Sequence, residues 1–174
     1  ERLLRRTKTA LAGGDISHAR EVVADLLICG SAPKGKALLR SGGRAGDLIY
    51  VSGPLGGWRH KPFIMPHLDL GRKLLGRATA CMDISDGIAL DLHRLALASG
   101  VEAQLDSVPL LRGATLKQAL HDGEDYELLY TAPSRRRVPG IRIGSMIKGE
   151  AGRVTYQGKP VPPIGYDHFQ QRRS

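Results

Sequence analysis

The sequence predicts an α+β fold in which a layered α/β domain, residues 44–174, follows part of another domain, residues 1–43. Three observations predict it. The small apolar run Ala78–Met82 ends in Asp83 and Asp86 and passes at once into the helix-period run Ile88–Gly100. The block His121-Asp122-Gly123-Glu124-Asp125-Tyr126-Glu127 leads straight into the strand-like Leu128–Thr131. Two further strand-like runs, Ile141–Ile147 and Arg153–Gln157, flank a Gly158-Lys159-Pro160 turn.

In chain order, residues 2–11 read as the end of a helix. Leu3, Leu4 and Leu11 form its apolar stripe, and Gly13-Gly14 stops it. A strand-like run, Glu21–Gly30, follows the turn at Asp15. The basic, glycine-rich stretch Lys34–Asp47 then leads into the strand Leu48–Gly53, and the shift of composition over residues 43–47 marks the expected domain boundary. Pro54–Pro66 reads as an ordered loop in which Trp58 either covers core or touches ligand. A short helix over Leu68–Arg77, the central strand and helix, a strand over Val101–Leu105 and a helix over Ala114–Leu120 complete the series, and the basic end beyond Phe169 is expected to be disordered.

Composition bounds the function. Forty-one per cent hydrophobic residues in 174 suffice for a real core. No apolar run approaches the roughly 20 residues that cross a bilayer, and Glu1–Arg6 lacks the apolar centre of a signal peptide. The expectation is a cytoplasmic protein with no membrane partner. Cys29 and Cys81 sit in apolar, strand-like settings without a Cys-x-x-Cys partner, which predicts small buried hydrophobes in a reducing compartment. The net charge of +9 invites a nucleic-acid reading. Its placement argues against one, because Arg2–Lys8, Arg135-Arg136-Arg137 and Arg172-Arg173 carry no interleaved aromatics and the chain holds one Trp, five Tyr and two Phe in all.

The candidate site is the strand-to-helix turn. Two carboxylates three positions apart, Asp83 and Asp86, stand where a helix start offers free N–H groups, so a divalent cation can join them to phosphate oxygens. The plainer reading is that Asp86 or Ser85 caps the helix and Asp83 is a solvated strand end. Gly13-Gly14 permits close approach of backbone to phosphate, and Asp15 beside it can hold a metal. Arg40 has the planar fork that clamps phosphate oxygens. Three acids packed against apolar residues at Glu124-Asp125-Tyr126-Glu127 require cations, donors or solvent, which favours a functional role there.

With these residues in view, the chain resembles the thiamine-monophosphate kinase family of the aminoimidazole-ribonucleotide synthetase-like superfamily. The resemblance rests on Gly13-Gly14-Asp15, Leu38–Gly42, Gly46–Val51, Met82–Gly87, Gly123–Leu129 and Gly165–Phe169, in that order along nearly the whole chain. It implies ATP-dependent phosphorylation of thiamine monophosphate to the diphosphate, with magnesium between carboxylates and phosphates, in a homodimer. It further implies Asp15, Asp83 and Asp86 as magnesium ligands, Gly14, Asp15, Arg40 and Ser85 as ATP contacts, and Glu124 and Tyr166 as contacts to thiamine monophosphate, with no covalent nucleophile. Residues 1–43 would then belong to the family's ATP- and magnesium-binding domain. The family's earlier acidic motifs are not in this sequence, Gly53–Pro66 is shorter than its usual helical insertion, and Asp122 stands where it has a second glycine. The expectation from the first of these departures is a chain that is catalytically silent by itself. A related kinase or synthetase acting on another small anion, or a basic nucleic-acid-binding domain, are the alternatives.

Overall fold

The computed structural model describes residues 2–57 and 64–166. Trp58 and the chain from Asp167 onward, where a disordered end was expected, lie outside the described residues. The chain divides into two units, Glu1–Gly35 and Lys36–Ser174. The boundary expected at residues 43 and 44 falls inside the second.

In the first unit helix α1 covers Arg2–Thr7, four residues short of the expected end. Lys8 adopts φ 55°, and the Thr9 N–H reaches back to the Leu4 carbonyl at 2.9 Å. The chain therefore leaves the helix at Lys8, well before Gly13. Residues 8–35 contain no helix or strand. The strand expected over Glu21–Gly30 is not formed, and Val22 and Leu26 are 101% and 94% exposed. β-propensity needs a second strand to supply ladder partners, and this unit contains none among its described residues. Cys29 is likewise exposed, against the buried setting expected of it.

The second unit is one seven-stranded sheet. Its strands are β1 (Asp47–Val51), β2 (Ala80–Asp83), β3 (Glu102–Leu105), β4 (Leu128–Pro133), β5 (Ile141–Ile147), β6 (Val154–Tyr156) and β7 (Lys159–Pro160). They stand in the order β2-β4-β1-β5-β3-β6-β7, antiparallel throughout except for β3 beside β6. Period-two alternation decides the faces. In β1, Ile49 and Val51 point to the core while Leu48 and Tyr50 point to the other side, where Tyr50 stacks on Tyr130 at 5.6 Å.

Helices α2 (Leu68–Leu74), α3 (Ile88–Ser99) and α4 (Leu116–His121) accompany the sheet. α3 forms because Ile88, Leu92, Leu95 and Ala96 repeat at helical spacing, and all four are fully buried among Ile49, Val51, Leu129, Ile143 and Met146. Each such Leu or Ile contributes about 1.5–3 kcal/mol by leaving water. Gly100 ends the helix in the left-handed region, its N–H on the Ala96 and Leu97 carbonyls. α4 begins with a capping box between Thr115 and Gln118. Among the described residues no helix is long and apolar enough to cross a membrane.

The irregular segment after β1 is tied down by Asp125. Its buried carboxylate accepts the Gly56 N–H at 2.9 Å and the Gly57 N–H at 3.3 Å. Asp125→Ala would strand these donors in the interior, so a loss of about 3 kcal/mol is expected in urea unfolding. A loss below about 1 kcal/mol would show the anchor to be dispensable.

Cys81 faces Tyr130 across the β2–β4 ladder, and burial first, Asp83 second, push its thiol up to about 11. Only about 0.1% of it is thiolate at pH 8, so iodoacetamide should label exposed Cys29 first. Peptide mapping by mass spectrometry reads the order, and equal rates would contradict the raised thiol of half-buried Cys81.

Candidate functional site

The site grows from the turn between β2 and α3. β2 ends with Asp83 exposed, Ile84 drops into the core, and Ser85-Asp86-Gly87 carries the chain into the helix. Neither Ser85 nor Asp86 caps α3. The N-cap is Gly87, which has no side chain to offer, and Asp91 reaches back from inside the helix to hold the turn before it, not the first helical N–H groups. Asp91 has no exposed surface, and its Oδ2 accepts the Ser85 N–H at 3.0 Å and the Asp86 N–H at 2.9 Å. Its Oδ1 accepts Arg94 Nη1 at 2.9 Å, and the same Nη1 donates to Asp86 Oδ2. Burial pushes the Asp91 carboxyl up, against the pull of the Asp86 N–H and Arg94. The Asp86 carboxylate holds the Arg94 guanidinium more firmly charged than usual.

A second segment docks on this turn beyond the ends of β2 and β4. Ile84 donates to the Glu127 carbonyl at 2.8 Å, Tyr126 donates to the Ile84 carbonyl at 2.8 Å, and Glu124 donates to the Ser85 carbonyl at 2.7 Å. Gly123, Glu124 and Tyr126 all have φ between 50° and 71°. Gly123 has no alternative, because a Cβ there would fall 2.4 Å from the Ser85 carbonyl oxygen. Asp125 and Glu127 face inward. Glu127 accepts from Ser52 Oγ and faces His67 Nε2 at 2.9 Å. Two of the three acids that suggested chemistry are thus framework groups, and Glu124 remains at the site.

A third segment completes it. The Tyr166 N–H donates to the Asp86 carbonyl at 2.8 Å, and a Cβ on Gly165 would lie 2.4 Å from that same oxygen. Consecutive carbonyls, Ser85 and Asp86, therefore hold Glu124 and Tyr166. The Tyr126 hydroxyl reports the charge around it. It is held above its ordinary range by burial and by Glu124, Asp83 and Asp86, in that order. Asp83 and Tyr126 also line a cavity of about 510 Å³, whose other walls include Leu38, Pro66, Leu75 and Leu128.

Five of the expected residues, Asp83, Ser85, Asp86, Glu124 and Tyr166, are brought together. Arg40 stands apart from them: it is exposed beside β2, and its carbonyl accepts from Ser99 Oγ at the end of α3 remote from Asp86. Gly14 and Asp15 belong to the first unit, where both are exposed and Asp15 accepts from Ser17 Oγ at 3.1 Å. Among the described residues no three His, Cys, Asp or Glu side chains converge to hold a metal by themselves. Asp83 and Asp86 are hard oxygen donors of the kind magnesium accepts one or two at a time, with phosphate and water filling the rest of its shell. That donor set fits magnesium. Sequence reasoning missed Asp91 and Arg94. Their signal was an acid on the apolar stripe of Ile88, Leu92 and Leu95 with an arginine three positions on.

No protein-family model matches the sequence. Curated relatives do. The thiamine-monophosphate kinase of Aquifex aeolicus is 33% identical over 93% of this chain and 64% of its own length. That of Salmonella typhimurium is 33% identical over 91% of this chain and 63% of its own length. The chain thus spans a little under two thirds of these relatives. Among solved structures, AaThiL complexed with AMPPCP and TMP matches with a TM-score of 0.66 at 32% identity, over 76% of this chain and 54% of that one. Hydrogenase maturation protein HypE in complex with ATP matches at 0.56 and 18% identity, over 77% of this chain and 54% of that one, a likeness of fold alone. The chain thus has the aminoimidazole-ribonucleotide synthetase-like fold in common with these proteins, and nearly all of its sequence is similar to part of the thiamine-monophosphate kinases.

Proposed function

We propose that this chain carries the thiamine-binding side, and part of the metal-binding side, of an enzyme that phosphorylates thiamine monophosphate with ATP to give thiamine diphosphate. The observation that carries the reading is the docking of Glu124 and Tyr166 on the Ser85–Asp86 turn beside Asp83, in a chain 33% identical to thiamine-monophosphate kinases. Phosphoryl transfer asks a protein mainly for positioning and charge neutralisation, and no covalent nucleophile is needed. Asp83 and Asp86 would hold magnesium against phosphate oxygens. Bound there, the ion neutralises the charge that would otherwise separate carboxylates from phosphates. Glu124 accepts from the exocyclic amine of the aminopyrimidine, and Tyr166 presents a ring face to the cationic thiazolium.

On this reading Ser85 and Arg40 contact ATP, as do Gly14 and Asp15 from residues 1–43, a portion of the ATP- and magnesium-binding domain, where Asp15 is a further magnesium ligand. The enzyme works as a homodimer in the cytoplasm. Residues 44–174 form the α/β domain that holds the thiamine side.

Calorimetry on the purified chain tests the reading. Saturable heat is expected with thiamine monophosphate in the presence of magnesium and a non-hydrolysable ATP analogue, and none with single-stranded or duplex nucleic acid. Salt-sensitive nucleic-acid binding without a response to thiamine monophosphate would replace the reading with the nucleic-acid one. Glu124→Gln should weaken thiamine monophosphate on the order of tenfold while leaving the ATP analogue nearly unchanged, since one charge-assisted hydrogen bond is lost. Equal weakening of both ligands would remove Glu124 from the thiamine pocket.

A further inference from the structure

Arg94 is the one cation that touches the Asp86 carboxylate among the described ion pairs, and it does so from a fixed position. Its Nη1 is shared between Asp86 Oδ2 and Asp91 Oδ1, and Asp91 is itself immobile, with no exposed surface and its other oxygen on the Ser85 and Asp86 N–H groups. One oxygen of Asp86 is thereby occupied by a guanidinium. Oδ1 is left, with a weak approach from Ser85 Oγ at 3.4 Å.

We propose that Arg94 is a specificity-determining positioning residue that leaves Asp86 one oxygen for a cation and so sets the site for magnesium over calcium. The inference rests on the reading of Asp86 as a magnesium ligand given above. Its physical basis is the difference between the two ions. Magnesium takes single carboxylate oxygens at about 2.0–2.1 Å in a rigid octahedron, whereas calcium takes six to eight oxygens at about 2.3–2.6 Å and gains from bidentate carboxylates. A guanidinium on Oδ2 keeps that oxygen out of a bidentate grip, and its positive charge bears on both dications alike. It does not hinder a monodentate ligand. Asp91 fixes Arg94 against the turn, so Asp86 cannot offer both oxygens without giving up its ion pair with Arg94. Arg94 acts through Asp86 and touches no reacting atom, so selectivity, rather than rate, is what it controls.

The test is the ratio of calcium to magnesium affinity, measured by calorimetry on the full chain with thiamine monophosphate and a non-hydrolysable ATP analogue present. Arg94→Met keeps the apolar stem of the side chain without its charge, on a residue that is not buried, and thermal unfolding by circular dichroism checks that the fold survives. The ratio should move toward calcium on the order of tenfold, the size of effect expected when the partner of a metal ligand is removed. Arg94→Lys retains the charge without the shared fork and should fall between wild type and Arg94→Met. A merely structural Arg94 would lower the unfolding temperature and leave the ratio alone. Cation binding with the same ratio in wild type and Arg94→Met overturns the inference and spares the proposed function. No saturable binding of either cation to the wild-type chain overturns both, because Asp86 is then no metal ligand.

Discussion

A carboxylate sealed from water has to find hydrogen-bond donors or give up its charge, and Asp91 finds them in the Ser85 and Asp86 N–H groups and in Arg94. These contacts decide the shape of the turn between β2 and α3. They also decide where the Ser85 and Asp86 carbonyls point, and those two oxygens receive the N–H groups of Glu124 and Tyr166. One buried acid thus sets the position of three chain segments that are far apart in sequence. Neighbouring contacts in such a network are coupled, so the effect of losing Asp91 is not the sum of its separate hydrogen bonds.

The second support is a stretch of backbone held where side chains rarely sit. Left-handed residues other than glycine cost of order 1–3 kcal/mol each, and Glu124 and Tyr126 are two of them. The surrounding contacts over-determine the loop. Asp125 grips the Gly56 and Gly57 N–H groups below it, Glu127 is held by Ser52 and His67, and the backbone pairs with Ile84 and Ser85 above. The alternation of a strand survives in this segment despite the turn geometry. Odd members go inward as anchors, and Glu124 and Tyr126 stay on the open side with Asp83 and Asp86.

Much of this was legible in the sequence, for physical reasons that differ by element. α3 announces itself because burial imposes a helical period on its side chains, β4 and β5 because they are short strand-forming runs, and the pairing of Asp83 with Asp86 at a strand-to-helix turn is visible in the letters alone. What was not legible is direction. The acidic block shows that carboxylates are dense, but only the fold shows that Asp125 and Glu127 turn inward to backbone and side-chain donors. Asp91 was hidden for the same reason, since its main partners are N–H groups that every residue carries. Glu21–Gly30 misled in the opposite sense. Its β-branched residues state a preference, and a preference without a partner strand makes no ladder in the first unit.

The distribution of charge bears on how such a site meets its ligands. The chain is basic overall, yet Asp83, Asp86 and Glu124 gather at one end of the sheet. Asp83 pairs with Leu128 at the start of β4, and Arg135-Arg136-Arg137 follow the other end of that strand, where Arg136 donates to the Gly76 carbonyl. Six residues of strand place the two groups about 20 Å apart, beyond the roughly 8 Å over which charge is felt at physiological salt. The arginines are therefore too far off to answer these carboxylates, and Arg94 alone among the described ion pairs answers Asp86. A bare phosphate approaching that end meets the carboxylates of Asp83, Asp86 and Glu124. Under the proposed function the phosphate must arrive with its cation, and the carboxylates that repel it alone are the ones that bind it in company.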